Sequence, residues 1–111
     1  MDKRTVKVIT DFTKLVRKKY SNLESAYVFG SYARGNFSED SDIDIALIFN
    51  NLDSAARFDM QVQLILLAST IDTRIEPHPI SNEDFNSENP FSLQIKNGIE
   101  IIESMTFANP T

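Results

Sequence analysis

The sequence predicts an α+β protein built on a small β-sheet, with helices packed mainly on one side of it. Short runs rich in apolar, aromatic or β-branched residues, which are typical of strands, lie at 26–29, 42–49 and 73–80. Longer segments whose apolar residues return every three or four positions, as in amphipathic helices, lie at 4–20 and 55–71. This order of helices and strands indicates one sheet with its helices on one face.

The composition is that of one folded domain. Hydrophobic residues make up 41% of the 111 residues, so we expect a single domain over 1–111 with a loose tail at about 105–111. The chain holds no cysteine, which excludes disulfides and thiolate metal sites and fits a cytoplasmic location. We expect neither a membrane span nor a secretory signal, because the apolar stretches are too short for the first and the N-terminus is too polar for the second.

The net charge of −5 is unevenly distributed. Residues 1–19 carry seven basic and two acidic side chains, about +5, and the remaining residues carry four basic and fourteen acidic ones, about −10. An acidic bulk is poorly suited to following a nucleic-acid backbone. The basic N-terminal segment is either a solvated helix face or a contact surface for an acidic partner or nucleotide.

The first half of the chain alternates helix and strand. The helix over 4–20 has an apolar stripe formed by Val6, Ile9, Phe12, Thr13, Leu15, Val16 and Tyr20. The strand "AYVF" ends at Gly30, and "SYAR" can form a helical turn that Gly35 closes. The polar loop "GNFSEDS" then leads to the strand "DIDIALIF".

The second half adds a long helix, a strand and short elements. Asp53 or Ser54 can cap the helix over 55–71. The predicted face of this helix consists of Phe58, Val62, Ile65, Leu66 and Ser69. The strand "TRIEPHPI" is followed by a polar loop at 81–90 that has room for one helical turn, a short helix stopped by Gly98, and an extended piece over 99–104.

Asp42 and Asp44 form an acidic pair at the head of the second strand. Two residues apart on a strand, they point to the same face with ~6–7 Å between their Cα atoms, while Ile43 and Ile45 point to the core. Paired carboxylates are natural ligands for divalent cations. Glu76 in the third strand completes a trio if the two strands are neighbours. Two cations ~3.5–4 Å apart, held by such a trio, can clamp the oxygens of a phosphoryl or nucleotidyl transfer.

Gly30 and Ser31 stand where a strand turns into a helix. The backbone N–H groups and the serine hydroxyl at such a turn can hold a phosphate. Arg34, one turn further, can point towards phosphates or pair with an acid. His78 shares a strand face with Glu76 and is either an ordinary hydrogen-bonded strand histidine or a group near the base or triphosphate, so we leave it out of the catalytic set.

Together these features resemble a known signature. "GSYARG" followed by "SDIDIAL", with ten residues between Ser31 and Asp42, is similar to the motif of the polymerase-β-type nucleotidyltransferase superfamily. The resemblance is greatest to its minimal nucleotidyltransferase (MNT) branch and covers nearly the whole chain. Glu76 stands at the place of the third carboxylate, where many relatives have Asp. The longer side chain of Glu76 still reaches a metal, but it can change the position of a general base.

The resemblance implies a nucleotidyltransferase-like fold with a mixed sheet. It also implies a nucleoside triphosphate as donor and two Mg²⁺ ions as cofactor. It assigns catalysis and metal binding to Asp42, Asp44 and Glu76. Substrate binding falls to Gly30, Ser31 and Arg34. Small members of this branch are often encoded beside a helical HEPN protein, as the antitoxin of a toxin–antitoxin pair.

We therefore expect a Mg²⁺-dependent transfer of AMP from ATP to a hydroxyl, such as that of a tyrosine, on a partner HEPN toxin. A polymerase role is not expected, since the chain has no extra domain to hold a primer. One alternative is an antitoxin that only occupies its partner's surface. The other is a nucleotide-binding subunit whose substrate lobe lies on another chain. The intact acidic trio favours the enzyme.

Overall fold

The computed structural model describes residues 1–38 and 40–102, and it confirms the α+β class. The strands are β1 Leu23–Phe29, β2 Ile43–Phe49, β3 Ile75–Ser81 and β4 Ile99–Glu100. The helices are α1 Lys3–Lys19, α2 Ser31–Arg34, α3 Ser54–Ser69, α4 Asn82–Asn86 and α5 Pro90–Lys96. The predicted loose tail at 105–111 lies outside the described residues. Within them, no helix has the length and apolar character that a membrane crossing requires.

The four strands form one mixed sheet in the order β3-β2-β1-β4. β1 pairs antiparallel with β2 and with β4, whereas β2 pairs parallel with β3. A parallel pair needs a crossover connection, and α3 supplies it. The register of β2 and β3 places Asp44 beside Glu76 and Ala46 beside His78.

Each face of the sheet has its own apolar core. The larger core joins α1 and α3 to one face, and its fully buried members include Phe12, Val16, Ile43, Ile45, Leu47, Phe49 and Leu64. The smaller core, on the other face, consists of Phe29, Ala46, Ile48, Ile80 and Ile95. β2 is therefore covered on both faces, which explains the continuous apolar run of its second half. Asp44 belongs to the same face as the smaller core.

The structure confirms the main members of the apolar stripe predicted for α1. Ile9, Phe12, Thr13 and Val16 are all buried against the sheet. Asp2 caps the helix by accepting a hydrogen bond from the Thr5 backbone N–H at 2.7 Å. Three basic residues occupy its last turn, where their charges are favourable for the helix dipole.

The predicted face of α3 is wrong as a packing face. The side chains of Phe58 and Leu66 are 73% and 58% exposed, and Val62, Ile65 and Ser69 are exposed as well. The residues that pack inward are Met60, Leu64, Leu67, Ala68 and Ile71. This second stripe has the same helical spacing as the first, because α3 is apolar over most of its circumference.

Two strand starts differ from those read off the sequence, and the helical turn for which 81–90 had room is present. β1 begins at Leu23 rather than at Ala26, and β2 begins at Ile43, so that Asp42 precedes the strand. The polar stretch after β3 forms α4, which Ser81 caps by accepting from the Asp84 backbone N–H at 3.1 Å.

Candidate active site

Asp44 and Glu76 lie side by side on neighbouring strands. Because β2 and β3 are parallel and in register at this pair, both side chains project from the same face of the sheet. One carboxylate oxygen of each and one ring nitrogen of His78 all lie within 4.8 Å of one another. The side chain of Asp44 is 24% exposed and that of Glu76 is 50% exposed. The structure thus places Glu76 where it can act together with Asp44.

Asp42 stands just outside the strand with its side chain exposed. Hydrogen bonding to Asp42 contributes to the pKa of Glu76, but Asp42 is not among the three residues whose ligand atoms lie within 4.8 Å of one another. The pKa of Glu76 is raised above its ordinary 4.5, first by burial, then by this hydrogen bond, and then by the negative charge of Asp44. A carboxylate with a raised pKa is a stronger base than an ordinary one.

Gly30 brings the glycine-serine turn into direct contact with Asp44. Its φ of +75° is in the left-handed region, which glycine adopts without strain. A Cβ atom at this position would stand 2.5 Å from Oδ2 of Asp44, so no other side chain fits without displacing the carboxylate. The turn and the start of α2 at Ser31 therefore stand directly over the acidic group.

Arg34 lies at the far end of α2 with its side chain exposed. In the part of the chain that the structure describes, no carboxylate forms an ion pair with it. Of the two alternatives for Arg34, an ion pair with an acid is therefore not formed among the described residues, where its side chain is exposed.

A second polar network holds α2 against the beginning of β3. Arg74 donates to the hydroxyl of the buried Tyr32 at 3.0 Å and forms a bidentate ion pair with Asp72, with N···O distances of 2.8 and 3.1 Å. This pairing lowers the pKa of Asp72. The Arg74 carbonyl also accepts from the Ile43 backbone N–H at 2.8 Å, so the network positions the first residues of both acid-bearing strands.

His78 is the residue that sequence reasoning left unassigned. Its Nε2 atom lies 3.1 Å from Oδ1 of Asp44 and 3.9 Å from Oε1 of Glu76. Its ring makes edge contacts with Phe29 and Phe91, at centroid distances of 5.1 and 6.0 Å. The sequence signal for a role of His78 was its spacing of two residues from Glu76, since this spacing places both side chains on one face of the strand.

The donor set fits a divalent cation. Asp44 and Glu76 supply carboxylate oxygens, Asp42 stands next to Glu76, and His78 adds a ring nitrogen. A different cleft, of about 550 Å³, lies at the opposite ends of β2 and β3, where Asn51, Arg57 and Asp84 help to line it. It is far from the acidic group, so we assign it no role in the chemistry.

Comparison with known proteins finds similarity to nucleotidyltransferases. Residues 13–106 match the family described as polymerase beta, nucleotidyltransferase. A candidate protein adenylyltransferase of Methanocaldococcus jannaschii is 34% identical over 82 residues, which are 72% of this chain and 81% of that protein. The protein adenylyltransferase MntA of Shewanella oneidensis is 38% identical over 64 residues, which are 57% of this chain and 44% of that protein.

Solved structures show the same fold. A candidate nucleotidyltransferase of Sulfolobus solfataricus has a TM-score of 0.65 at 24% identity, covering 87% of this chain and 78% of that one. A toxin–antitoxin structure with AMP-PNP has a TM-score of 0.56 at 24% identity, covering 89% and 84%. A complex of MNT antitoxin with tri-AMPylated HEPN toxin of Shewanella oneidensis has a TM-score of 0.55 at 21% identity, covering 91% and 82%.

Proposed function

This chain belongs to the polymerase beta nucleotidyltransferase family, and from that premise we propose that it transfers AMP from ATP to a hydroxyl group of a partner protein. The observation that carries the proposal is the convergence of Asp44 and Glu76, with Asp42 beside them, against the turn at Gly30. Three acids crowded next to a strand-to-helix turn are costly for a protein that only binds a partner. They are useful where a cation and a triphosphate must meet.

We propose that two Mg²⁺ ions would be held by Asp42, Asp44 and Glu76. When bound there, Mg²⁺ would neutralise the triphosphate and make the acceptor hydroxyl easier to deprotonate. The backbone of Gly30 and the hydroxyl of Ser31 would hold the β- and γ-phosphates on the other side of Asp44.

Glu76 is our candidate for the general base. Half of its side chain is open to an incoming hydroxyl, and its carboxyl group stands beside Asp44. In the transfer, the acceptor oxygen bonds to the α-phosphorus and its proton passes to Glu76. The bond from the α-phosphorus to the bridging oxygen breaks, and pyrophosphate leaves with the electron pair.

The acceptor is proposed from the relatives. Two relatives, 34% and 38% identical over their matched lengths, are named as a candidate protein adenylyltransferase and a protein adenylyltransferase, and one solved neighbour holds an AMPylated HEPN toxin. We infer that this chain modifies a HEPN-type partner, on a hydroxyl such as that of a tyrosine, and thereby acts as an antitoxin. The rival function is an antitoxin of the same fold that neutralises its partner by binding alone.

Two surfaces of the described residues suit a helical protein partner. One is the basic end of α1, where Lys18 and Lys19 are exposed. The other is the exposed apolar stripe of α3 formed by Phe58, Val62, Ile65 and Leu66. Apolar side chains of this size bury more favourable area on binding than rim lysines do, so we expect the α3 stripe to contribute more affinity.

The deciding experiment incubates the purified chain with its candidate HEPN partner, ATP and Mg²⁺, and measures AMP attached to the partner by intact mass. Asp42→Asn is the matched variant, because Asp42 is exposed and outside the strand. We expect it to bind the partner as well as the unaltered chain and to transfer no AMP. If it neutralises the partner fully while the mass of the partner stays unchanged, binding alone is the better account.

A further inference from the structure

We propose that His78 is a direct ligand of the cation held by Asp44 and Glu76, and that its imidazole shifts the preference of the site from Mg²⁺ towards transition metals such as Co²⁺ and Zn²⁺. The inference rests on the proposed function only in assuming that a cation binds here. It concerns which ion the site prefers, and it can be tested without any transfer reaction.

The distances between the donor atoms suit one shared ion. Ligands lie ~2.0–2.3 Å from such a cation, so two ligands of one ion are separated by ~3 Å when adjacent and by up to ~4.6 Å when opposite. Nε2 of His78 is 3.1 Å from Oδ1 of Asp44 and 3.9 Å from Oε1 of Glu76. Both separations fall in this range, so small side-chain rotations bring all three atoms to one ion.

The position of His78 distinguishes a ligand from a residue that only orients one. A histidine that only orients one carboxylate needs contact with that carboxylate alone. Here Nε2 approaches both carboxylates, which places it on the side where the ion would bind. The second oxygen of Asp44, Oδ2, faces Gly30 instead, so the carboxylate presents one oxygen to the turn and the other to His78.

The imidazole is also held in place before any ion arrives. Pro77 and Pro79 flank His78 and fix the backbone on either side of it, with both prolines buried. The ring packs at 5.1 Å against Phe29, and its partner in the register, Ala46, is small enough to leave it room. A ligand ordered in this way loses little conformational entropy on binding.

The chemistry of His78, as the third ligand, decides which cation the site prefers. Mg²⁺ favours oxygen ligands and keeps several waters, whereas imidazole nitrogen suits Zn²⁺, Ni²⁺ and similar ions. Any site of this kind binds transition metals more tightly than Mg²⁺, so the informative quantity is how much of that difference depends on His78.

The test uses the full chain without a histidine tag, because His78 is then the only histidine among the 111 residues. Its two ring nitrogens give unambiguous ¹⁵N signals, recorded at about pH 8, where an ordinary imidazole is neutral. We expect Zn²⁺ to move the Nε2 signal to a metal-bound position while Mg²⁺ leaves it near its starting value. An Nε2 signal that does not move at saturating Zn²⁺ overturns the proposal.

Titration calorimetry on two variants measures how much His78 contributes to the affinity for each ion. His78→Gln is expected to lower Co²⁺ affinity at least about tenfold and Mg²⁺ affinity by less than about threefold. Equal losses for the two ions would mean that His78 only orients Asp44, and would overturn the proposal. Asp44→Asn should weaken both ions. If Nε2 binds Zn²⁺ but the chain transfers no AMP to any partner, the ligand role of His78 stands and the proposed function alone fails.

Discussion

Replacing Gly30 with alanine tests the contact on which the candidate site depends. The added methyl group destabilises the folded state in two ways. Gly30 has φ +75° and ψ −149°, a backbone region that is essentially restricted to glycine and costs an alanine about 1–3 kcal/mol. In addition, the new Cβ would stand 2.5 Å from Oδ2 of Asp44, so the carboxylate must leave its position. Moving a side chain away from its preferred rotamer costs about 0.5–1.5 kcal/mol more. Gly30→Ala should therefore lower the free energy of unfolding by about 1.5–4.5 kcal/mol.

Gly35 provides a control for a positive φ without a steric contact. It has φ +80° and ψ 6°, the αL conformation, and a Cβ there would find no atom within 4 Å. Gly35→Ala should therefore cost only the backbone term, about 1–2 kcal/mol. For a domain of this size, 1 kcal/mol corresponds to a change of about 4 °C in Tm.

The measurement is thermal and urea unfolding of the two alanine variants and of Gly30→Ala combined with Asp44→Ala. Removing the carboxylate should reduce the cost of Gly30→Ala by the part that comes from the contact, about 0.5–1.5 kcal/mol, which is a measurable coupling energy. If Gly30→Ala costs the same with and without the Asp44 carboxylate, then a side chain at position 30 does not contact Asp44 as the structure has it.

Three further predictions concern the acids and the partner surface. Asp44→Asn should abolish AMP transfer while leaving the Tm of the metal-free protein equal or higher, because it removes one of several crowded negative charges; a large fall in Tm would show that Asp44 is structural. Because the pKa of Glu76 is raised in the folded state, the metal-free protein should lose stability as pH rises from the ordinary 4.5 through the raised value. Thermal melts of Glu76→Gln should lack this decline, and an unchanged pH profile would contradict it. Phe58→Ser with Leu66→Ser should weaken partner binding at least tenfold by titration calorimetry and leave Tm within about 2 °C, since both side chains are exposed; unchanged binding would exclude the α3 stripe as the contact surface.

Local patterns explain how much of this molecule could be predicted. The helix α1 has one clear apolar stripe, so both its extent and its inward face follow from the sequence. The helix α3 could be predicted only as a helix. It carries two apolar stripes with the same spacing, one through Phe58 and Leu66 and one through Leu64 and Ala68, and periodicity cannot choose between them.

The sequence by itself determined which residue types the candidate site offers. Alternation in "DIDI" predicts that the acids share one face, although Asp42 stands just outside β2, and "GS" at a strand end predicts a turn suited to phosphate. Only the tertiary structure decided which residues meet there. The parallel register of β2 and β3 places Glu76 beside Asp44 and brings His78 to the same group. Such a register follows from burying both faces of the sheet at once, a long-range balance of packing that no short segment encodes.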